Sequence, residues 1–306
     1  MDRNIMSIPG MEQFLRCRDL PSCCRLDSPE NPEMKLISSA ARRTRQAEGL
    51  ILNTFEDLEE PILSLIRLHV NPNVYTIGPI HEHLNMKSTA QENMRDCSSS
   101  NVLWSEDRSC LEWLDCQPVK SVIYVSFGSI VTITRKQFLE ILHGLVNSNK
   151  RFLWVRRPGM IEDEMQLPDE LLEATRKRGK MVEWAPQEDV LAHKAVGGFF
   201  THCGWNSTLE SIIAGVPMLC WPSFFDQQVN SAFVGAAWKI GLDMKDVSLT
   251  TLGSSSSNLE LLIKHIKSLP SHKNTCMIIA CVISGRRCRE WASETDRRHK
   301  VSLCLV

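Results

Sequence analysis

The sequence lacks an excess of either charge. Its 306 residues carry a formal net charge of −1, with 35 Lys and Arg against 36 Asp and Glu. Binding to nucleic acid or to an anionic membrane surface relies on a surplus of basic residues. We therefore expect neither as a partner, while 43% hydrophobic residues are enough to bury the core of one or two domains.

Long apolar runs and a secretory leader are also missing. The apolar run at residues 276–283 is far shorter than the roughly 18 to 20 residues of a membrane-spanning helix. The first residues show no signal-peptide pattern, and the 12 cysteines are scattered, with Cys23 and Cys24 adjacent. We expect reduced thiols in a cytoplasmic protein without a membrane span.

Two chemical signatures are absent as well. His202 and Cys203 form a single His-Cys step with no second pair at ligand spacing, so neither a metal nor another cofactor is expected. No Gly-x-Gly-x-x-Gly follows the first strand, and no acidic residue stands at the matching distance. An NAD-type dehydrogenase is therefore a weak alternative.

What the sequence does contain is an alternation of short apolar runs and helix-compatible segments. Strands are predicted at residues 49–54 (buried), 74–79, 121–127, 151–156, 181–184, 196–201 and 216–221. Helices are predicted at residues 55–69, 134–147, 168–178, 187–193, 208–214 and 228–240. This pattern is typical of parallel sheets with crossover helices, which bind ligands at the carboxyl ends of their strands.

Two polar turns follow predicted strands and face that edge. In residues 202–207, Asn206 and Ser207 are residue types that cap helices, and the helix N–H groups, Ser207 and His202 can donate to a phosphate. Ser129 lies in a Gly-Ser turn after the strand at residues 121–127 and is a second candidate phosphate ligand.

These residues carry a resemblance to a known family. Residues 184–227, with Trp184 at the start, the run HCGWNS from residue 202, Glu210 and a final Asp-Gln pair, resemble the nucleotide-sugar motif of plant family 1 UDP-glycosyltransferases. The resemblance covers residues 8–244 well, and the loop at residues 9–21 is most similar to iridoid and terpenoid glucosyltransferases. It implies an α/β fold of GT-B type, with two Rossmann-like doubly wound domains of which the first is only partly present.

The same resemblance implies a division of the chain. Residues 1–83 correspond to the end of an acceptor-binding N-domain, 84–109 to an interdomain linker, 110–248 to the UDP-sugar-binding domain, and 249–269 to the last helix arriving early. Residues 270–306 match nothing in the family, and we expect a disordered tail.

The resemblance also implies the roles of the UDP-sugar-binding residues. Trp184 would stack on uracil, Glu210 would bind the ribose, His202, Asn206 and Ser207 the diphosphate, and Trp205, Asp226 and Gln227 the sugar, with glutamine at residue 227 implying glucose. The set is completed by Ser129, Ala185, Gln187 and Gly204. Taken singly, Trp184 is equally typical of a core, Glu210 of a solvated surface, and Asn206 and Ser207 of simple capping.

The implied reaction is inverting transfer of glucose from UDP-glucose to a hydroxyl or carboxyl of a small plant metabolite. The family's base histidine and its aspartate partner have no counterpart, because none of the 9 histidines has the matching context. No catalytic residue is therefore assigned, and a catalytically inactive UDP-sugar-binding fragment is the open alternative. We expect a monomer, although apolar residues 50–52 and the helix at 55–69 leave association or aggregation open.

Overall fold

A computed structural model describes residues 2–25, 31–82, 104–161 and 169–245. Within these ranges the strands are β1 Leu50–Leu52, β2 Val74–Thr76, β3 Val122–Ser126, β4 Arg151–Val155, β5 Gly179–Val182, β6 Val196–Thr201, β7 Met218–Cys220 and β8 Gly241–Asp243. The α-helices are α1 Pro32–Thr44, α2 Glu56–His69, α3 Ser109–Asp115, α4 Arg135–Asn147, α5 Asp169–Arg178, α6 Gln187–Ala192, α7 Trp205–Ala214 and α8 Gln227–Ala232. None of these helices is long and apolar enough to cross a membrane.

Six parallel strands form the main sheet in the order β5-β4-β3-β6-β7-β8. The chain moves outward from β3 to β5, then returns to the other side of β3 with β6 and moves outward again. This is the strand order of a doubly wound nucleotide-binding sheet, and the direction of winding changes between β3 and β6. The predicted doubly wound sheet is therefore confirmed.

Two hydrophobic layers cover the two faces of this sheet. All residues of β3 are buried, and because successive side chains point to opposite faces, Tyr124 lies in one layer while Ile123 and Val125 lie in the other. Helix α4 packs on the second face through Phe138 and Leu142. Burial on both faces explains why these strands read as continuous apolar runs.

Helix α4 shows how local sequence sets an element boundary. The hydroxyl of Thr134 accepts from the N–H of Gln137 at 3.2 Å, and the Thr134 N–H donates to Oε1 of Gln137 at 2.9 Å. This reciprocal pair is a capping box, which satisfies two N–H groups at the helix start. The helix predicted at residues 134–147 is confirmed, with Thr134 as its cap.

The strand predicted as buried at residues 49–54 differs from the observed structure. β1 is shorter, and Ile51 is 70% exposed beside its partner Tyr75 of β2, which is 58% exposed. The expectation of burial is wrong because β1 and β2 form a two-stranded sheet in the described chain, with α2 against β2. The predicted helix at residues 55–69 is confirmed as α2, with Leu63 buried.

Two further segments differ from prediction. The helix predicted at residues 228–240 is instead α8 followed by a π-helical turn, Phe233–Ala237, which ends where the backbone turns into β8. The predicted linker at 84–109 is described only from residue 104, and Ser109 already begins α3. The remnant helix at 249–269 and the tail at 270–306 lie outside the described residues.

The N-terminal residues contact the main sheet domain directly. The indole Nε1 of Trp205 donates to the carbonyl oxygen of Asn53 at 2.7 Å. The rings of Phe14 and Phe233 pack edge to face at 4.9 Å. Contacts of this kind place the end of β1 beside the N-terminus of α7.

Candidate functional site

A cavity of about 580 Å³ opens at the carboxyl edge of the main sheet. It lies over the ends of β3 and β6, where the direction of winding changes, which is the place where doubly wound sheets bind ligands. Every residue assigned to the site from sequence, apart from Asp226 and Gln227, lines it: Ser129, Trp184, Ala185, Gln187, His202, Gly204, Trp205, Asn206, Ser207 and Glu210.

His202 directly follows β6 and is framed by two glycines. A Cβ atom on Gly128 would lie 2.7 Å from Nε2 of His202, and one on Gly204 would lie 2.6 Å from the same atom. Gly128 also has a φ of +71°, in the left-handed region that favours glycine. The imidazole position therefore depends on the absence of side chains at both residues.

Burial lowers the pKa of His202 to about 4, although the charge of Asp226 and a backbone interaction with Ser126 act in the opposite direction. The imidazole is therefore neutral near pH 7. A neutral imidazole can donate one hydrogen bond to an anion, but it adds no positive charge to the cavity.

Helix α7 points its N-terminus into the cavity. It begins at Trp205, with Gly204 as N-cap, so it starts earlier than the predicted helix at 208–214. The prediction that Asn206 and Ser207 cap this helix is wrong, because both lie within its first turn, and the hydroxyl of Ser207 accepts from Gln187 instead. The first N–H groups of an α-helix have no carbonyl partner in the helix and carry its positive dipole end, so they suit an anion.

A hydrogen-bonded network forms the side wall of the cavity. Nε2 of Gln187 donates to Oγ of Ser207 at 2.9 Å and to Oε2 of Glu210 at 2.6 Å. The hydroxyl of Tyr124 donates to Oε1 of the same Gln187 at 3.2 Å. Burial raises the pKa of Glu210 to about 7, since the Gln187 hydrogen bond only partly offsets it and the charge of Glu188 adds to it.

The opposite end of the cavity is aromatic. Trp184 lies just beyond β5 and stacks against Trp104, with ring centroids 6.4 Å apart and planes 29° apart. The N–H of Asp107 donates to the Trp184 carbonyl at 2.9 Å, and Arg108 pairs with Asp189 at 2.7 Å. These contacts hold Trp184 at the cavity wall, where an indole face can stack on a flat heterocycle.

Asp226 and Gln227 precede and begin α8 and do not line the cavity. Oδ2 of Asp226 accepts from Asn230 at 2.9 Å, and the Asp226 charge acts on His202. Oε1 of Gln227 accepts from the N–H groups of Ser223 and Phe224 at 2.9 Å and 3.1 Å. The side-chain oxygen of Gln227 thus holds the loop before α8 in place.

Several cavity residues were not assigned from sequence: Glu106, Arg108, Tyr124, Ser126, Gly128, Val155, Pro186, Glu188 and Asp189. Ser126 ends β3 and Gly128 lies in the turn with Ser129, while Pro186, Glu188 and Asp189 flank Gln187, so adjacency alone could have found them. No sequence pattern around Tyr124, Glu106 or Arg108 indicates that these residues line a binding site.

Arg157 also supports the site from outside the cavity. It is 8% exposed, and its guanidinium donates to the carbonyl oxygens of Gly128 at 3.3 Å and Val131 at 2.7 Å. These two bonds fix the turn that carries Gly128 and Ser129. The sequence does not indicate this role for an arginine after β4, because the contact joins it to the turn after the neighbouring strand β3.

Known proteins are similar to this chain in sequence. The chain is 50% identical to 7-deoxyloganetic acid glucosyltransferase of Catharanthus roseus, over 88% of this chain and 63% of that relative. It is 43% identical to UDP-glycosyltransferase 85A2 of Arabidopsis thaliana, over 80% of this chain and 50% of that relative. The chain therefore spans less than two thirds of the length of these curated relatives.

Solved structures match as well. Os79 from O. sativa in complex with UDP superimposes with a TM-score of 0.69 and 29% identity, covering 95% of this chain and 64% of Os79. Phytolacca americana UGT2, complexed with UDP-2fluoro-glucose and pterostilbene, gives a TM-score of 0.68 at 29% identity, covering 97% of this chain and 60% of UGT2. The expected α/β fold class of GT-B type is thereby confirmed.

The family model described as UDP-glucoronosyl and UDP-glucosyl transferase matches residues 50–287. Since this match covers well over half of the 306 residues, the chain belongs to the UDP-glucoronosyl and UDP-glucosyl transferase family.

Proposed function

We propose that the cavity binds UDP-glucose and that the protein acts in transfer of glucose to a small plant metabolite. The observation that carries the proposal is the set of groups that line one cavity: an indole, a half-buried carboxylate, and a neutral imidazole beside a helix N-terminus. These groups suit the base, ribose and diphosphate of a nucleoside diphosphate sugar.

In the proposed complex, uracil stacks on Trp184 beside Ala185, and the ribose hydroxyls donate to Glu210. The diphosphate accepts from the N–H groups at the start of α7, from His202, Asn206 and Ser207, and from Ser129 across the cavity. Negative charge grows on the diphosphate as the sugar leaves, so these donors stabilise the transition state more than the ground state. Trp205 in the cavity lining, and Asp226 and Gln227 outside it, would bind the glucose hydroxyls.

The proposed reaction inverts the anomeric carbon, because a hydroxyl or carboxyl of the acceptor attacks opposite to the departing UDP. The similarity to 7-deoxyloganetic acid glucosyltransferase favours an iridoid or related terpenoid acceptor. We assign residues 110–248 to donor binding and residues 1–83 to the acceptor side. A cytoplasmic location is part of the proposal, because the seven described cysteines are free thiols, as a reducing compartment maintains.

The general base is not assigned to His202. A group with a pKa of about 4 is a weak base near pH 7, and the imidazole already serves the diphosphate in this proposal. We propose that acceptor deprotonation needs a group outside the described cavity lining. The low pKa of His202 favours a second candidate function, UDP-sugar binding without turnover.

The test has two stages on the 306-residue chain. Isothermal titration should give saturable binding of UDP-glucose and UDP, and no comparable binding of NADH. UDP release from UDP-glucose is then measured with and without a panel of terpenoid and phenolic acceptors. Acceptor-dependent release supports transfer by this chain, and binding without release supports the second candidate.

Absence of UDP binding by a folded sample contradicts the proposed function altogether. Acceptor-dependent release that disappears in His202→Gln, while UDP affinity stays within about twofold, would show that His202 is the base and overturn that part of the proposal.

A further inference from the structure

Tyr124 lies at the centre of β3 and is 1% exposed. Its ring stacks on Phe199 of β6, with centroids 5.0 Å apart. Packing of this ring needs no hydroxyl, since phenylalanine would fill the same volume. The hydroxyl nevertheless reaches the cavity lining, where it donates to Oε1 of Gln187 at 3.2 Å.

This hydrogen bond holds the oxygen end of the Gln187 amide. With Oε1 accepting from Tyr124, the amide nitrogen is directed at Ser207 and Glu210, to which it donates at 2.9 Å and 2.6 Å. The reversed amide would direct its oxygen at the Glu210 carboxylate, where two acceptors repel each other. Burial raises the pKa of Tyr124, so its hydroxyl stays protonated and remains a donor.

Glu210 depends on this amide. Its side chain is half-buried, and the Gln187 hydrogen bond is the favourable interaction that stabilises its charged form. One carboxylate oxygen, Oε2, is held by Gln187. The carboxylate is therefore held by the amide, and the amide is held on its oxygen side by the phenol.

We propose that Tyr124 is a positioning residue for nucleotide recognition, acting through Gln187 to orient the Glu210 carboxylate toward the ribose hydroxyls. The inference rests on the proposed function, because it requires a ribose at Glu210. It assigns Gln187 a role as connector between phenol and carboxylate in addition to any contact with the ligand.

The experiment uses the 306-residue chain and two ligands, UDP and 2′,3′-dideoxy-UDP, measured by isothermal titration. The two ligands share base and diphosphate but differ in the ribose hydroxyls that would donate to Glu210. Tyr124→Phe removes the hydroxyl, and Tyr75→Phe is the matched control, since Tyr75 is the only other tyrosine of the chain and is 58% exposed.

We expect Tyr124→Phe to weaken UDP binding about fivefold, the worth of one neutral hydrogen bond, and to leave 2′,3′-dideoxy-UDP within about twofold. Tyr75→Phe should change neither. In a Gln187→Ala background, Tyr124→Phe should cause no further loss, because the connector is already gone. If Tyr124 has a purely structural role, Tyr124→Phe should weaken the binding of both ligands equally. Its effect should then add to the effect of Gln187→Ala.

The outcomes separate the two ideas. Wild-type protein that binds neither ligand overturns both the proposed function and this inference. Wild-type protein that prefers UDP, with the same preference retained in Tyr124→Phe, leaves the proposed function standing and overturns the positioning role.

If Tyr124→Phe does not fold, 3-fluorotyrosine in the Tyr75→Phe chain labels Tyr124 alone. The inference then requires its fluorine resonance to shift with UDP and to stay in place with 2′,3′-dideoxy-UDP. Equal shifts with both ligands contradict it.

Discussion

Two ionisable side chains of the cavity have pKa values displaced in opposite directions by the same cause. Burial disfavours the charged form of either group, so it raises the pKa of Glu210 to about 7 and lowers that of His202 to about 4. Both groups are thus neutral across mildly acidic pH.

The two shifts have opposite effects on stability. Between 4.5 and about 7 the native Glu210 keeps a proton that the unfolded chain has lost, so its contribution to the free energy of unfolding falls as pH rises. Between about 4 and 6.5 the unfolded His202 holds a proton that the native ring lacks, so its contribution rises with pH. Where the windows overlap, the two contributions cancel.

We therefore predict that replacing either residue makes the pH dependence contributed by the other visible in the free energy of unfolding. Relative to wild type, Glu210→Gln should become more stable as pH rises from 4.5 to 6.5, and His202→Gln should become less stable. The slopes approach about 1.4 kcal/mol per pH unit at most. Urea unfolding monitored by tryptophan fluorescence measures them. A pH-independent difference for either variant contradicts the assigned shift, and the double variant should show no slope relative to wild type.

At the scale of elements, the part of the cavity around His202 is built where two strand-to-helix turns meet. The turn after β3 carries Gly128 and Ser129, and the turn after β6 carries His202 and Gly204. Arg157 fixes the first turn, and α7 fixes the second. The imidazole lies between them, so the geometry of either turn affects it.

Gly128→Ala should separate the backbone requirement from the requirement for space. Gly159 has the same φ of +71° but nothing within 4 Å of an added Cβ, which makes Gly159→Ala the matched control. Both variants should lose about 1 to 2 kcal/mol in thermal unfolding, because alanine is strained at this φ. Only Gly128→Ala should also lose UDP affinity, by about tenfold, because its Cβ displaces His202. Equal UDP affinity in the two variants contradicts this account of the turn.

At the scale of the whole molecule, a buried ion network joins the N-terminal residues to the end of the main sheet. Asp19 has a fully buried side chain, and it pairs with Arg16 at 2.9 Å and with Nζ of Lys245 at 3.0 Å. Lys245 also lies 3.4 Å from Asp243 at the end of β8. Burial opposes the charge on Asp19, but Arg16 and Lys245 outweigh it, so the pKa of Asp19 is below its usual value.

Lys245→Met should destabilise the protein by about 3 kcal/mol, because it leaves a buried carboxylate with one partner fewer. Lys177→Met is the control, since Lys177 is 70% exposed and pairs with Glu173 within one helix. That variant should change the free energy of unfolding by no more than about 0.5 kcal/mol. Chemical denaturation measures both, and equal effects contradict the role of the buried network.

The sequence by itself determined those features that depend on neighbouring residues. The apolar runs predicted five of the six strands of the main sheet, β3 to β7, and the helix predicted from residue 134 begins at its cap, Thr134. The residues 184–227 identified most of the cavity, because turns after parallel strands meet at one edge of the sheet.

Only the tertiary structure decided what depends on distant partners. Tyr124 and Gln187 are 63 positions apart, and nothing in β3 distinguishes a phenol that reaches the cavity from one that only fills the core. The exposure of Ile51 depended on how many strands pair with β1, and the buried charge of Asp19 on the position of Lys245. Hydrophobic period and turn composition are local properties, whereas hydrogen-bond partners and burial are set by the packing of the whole chain.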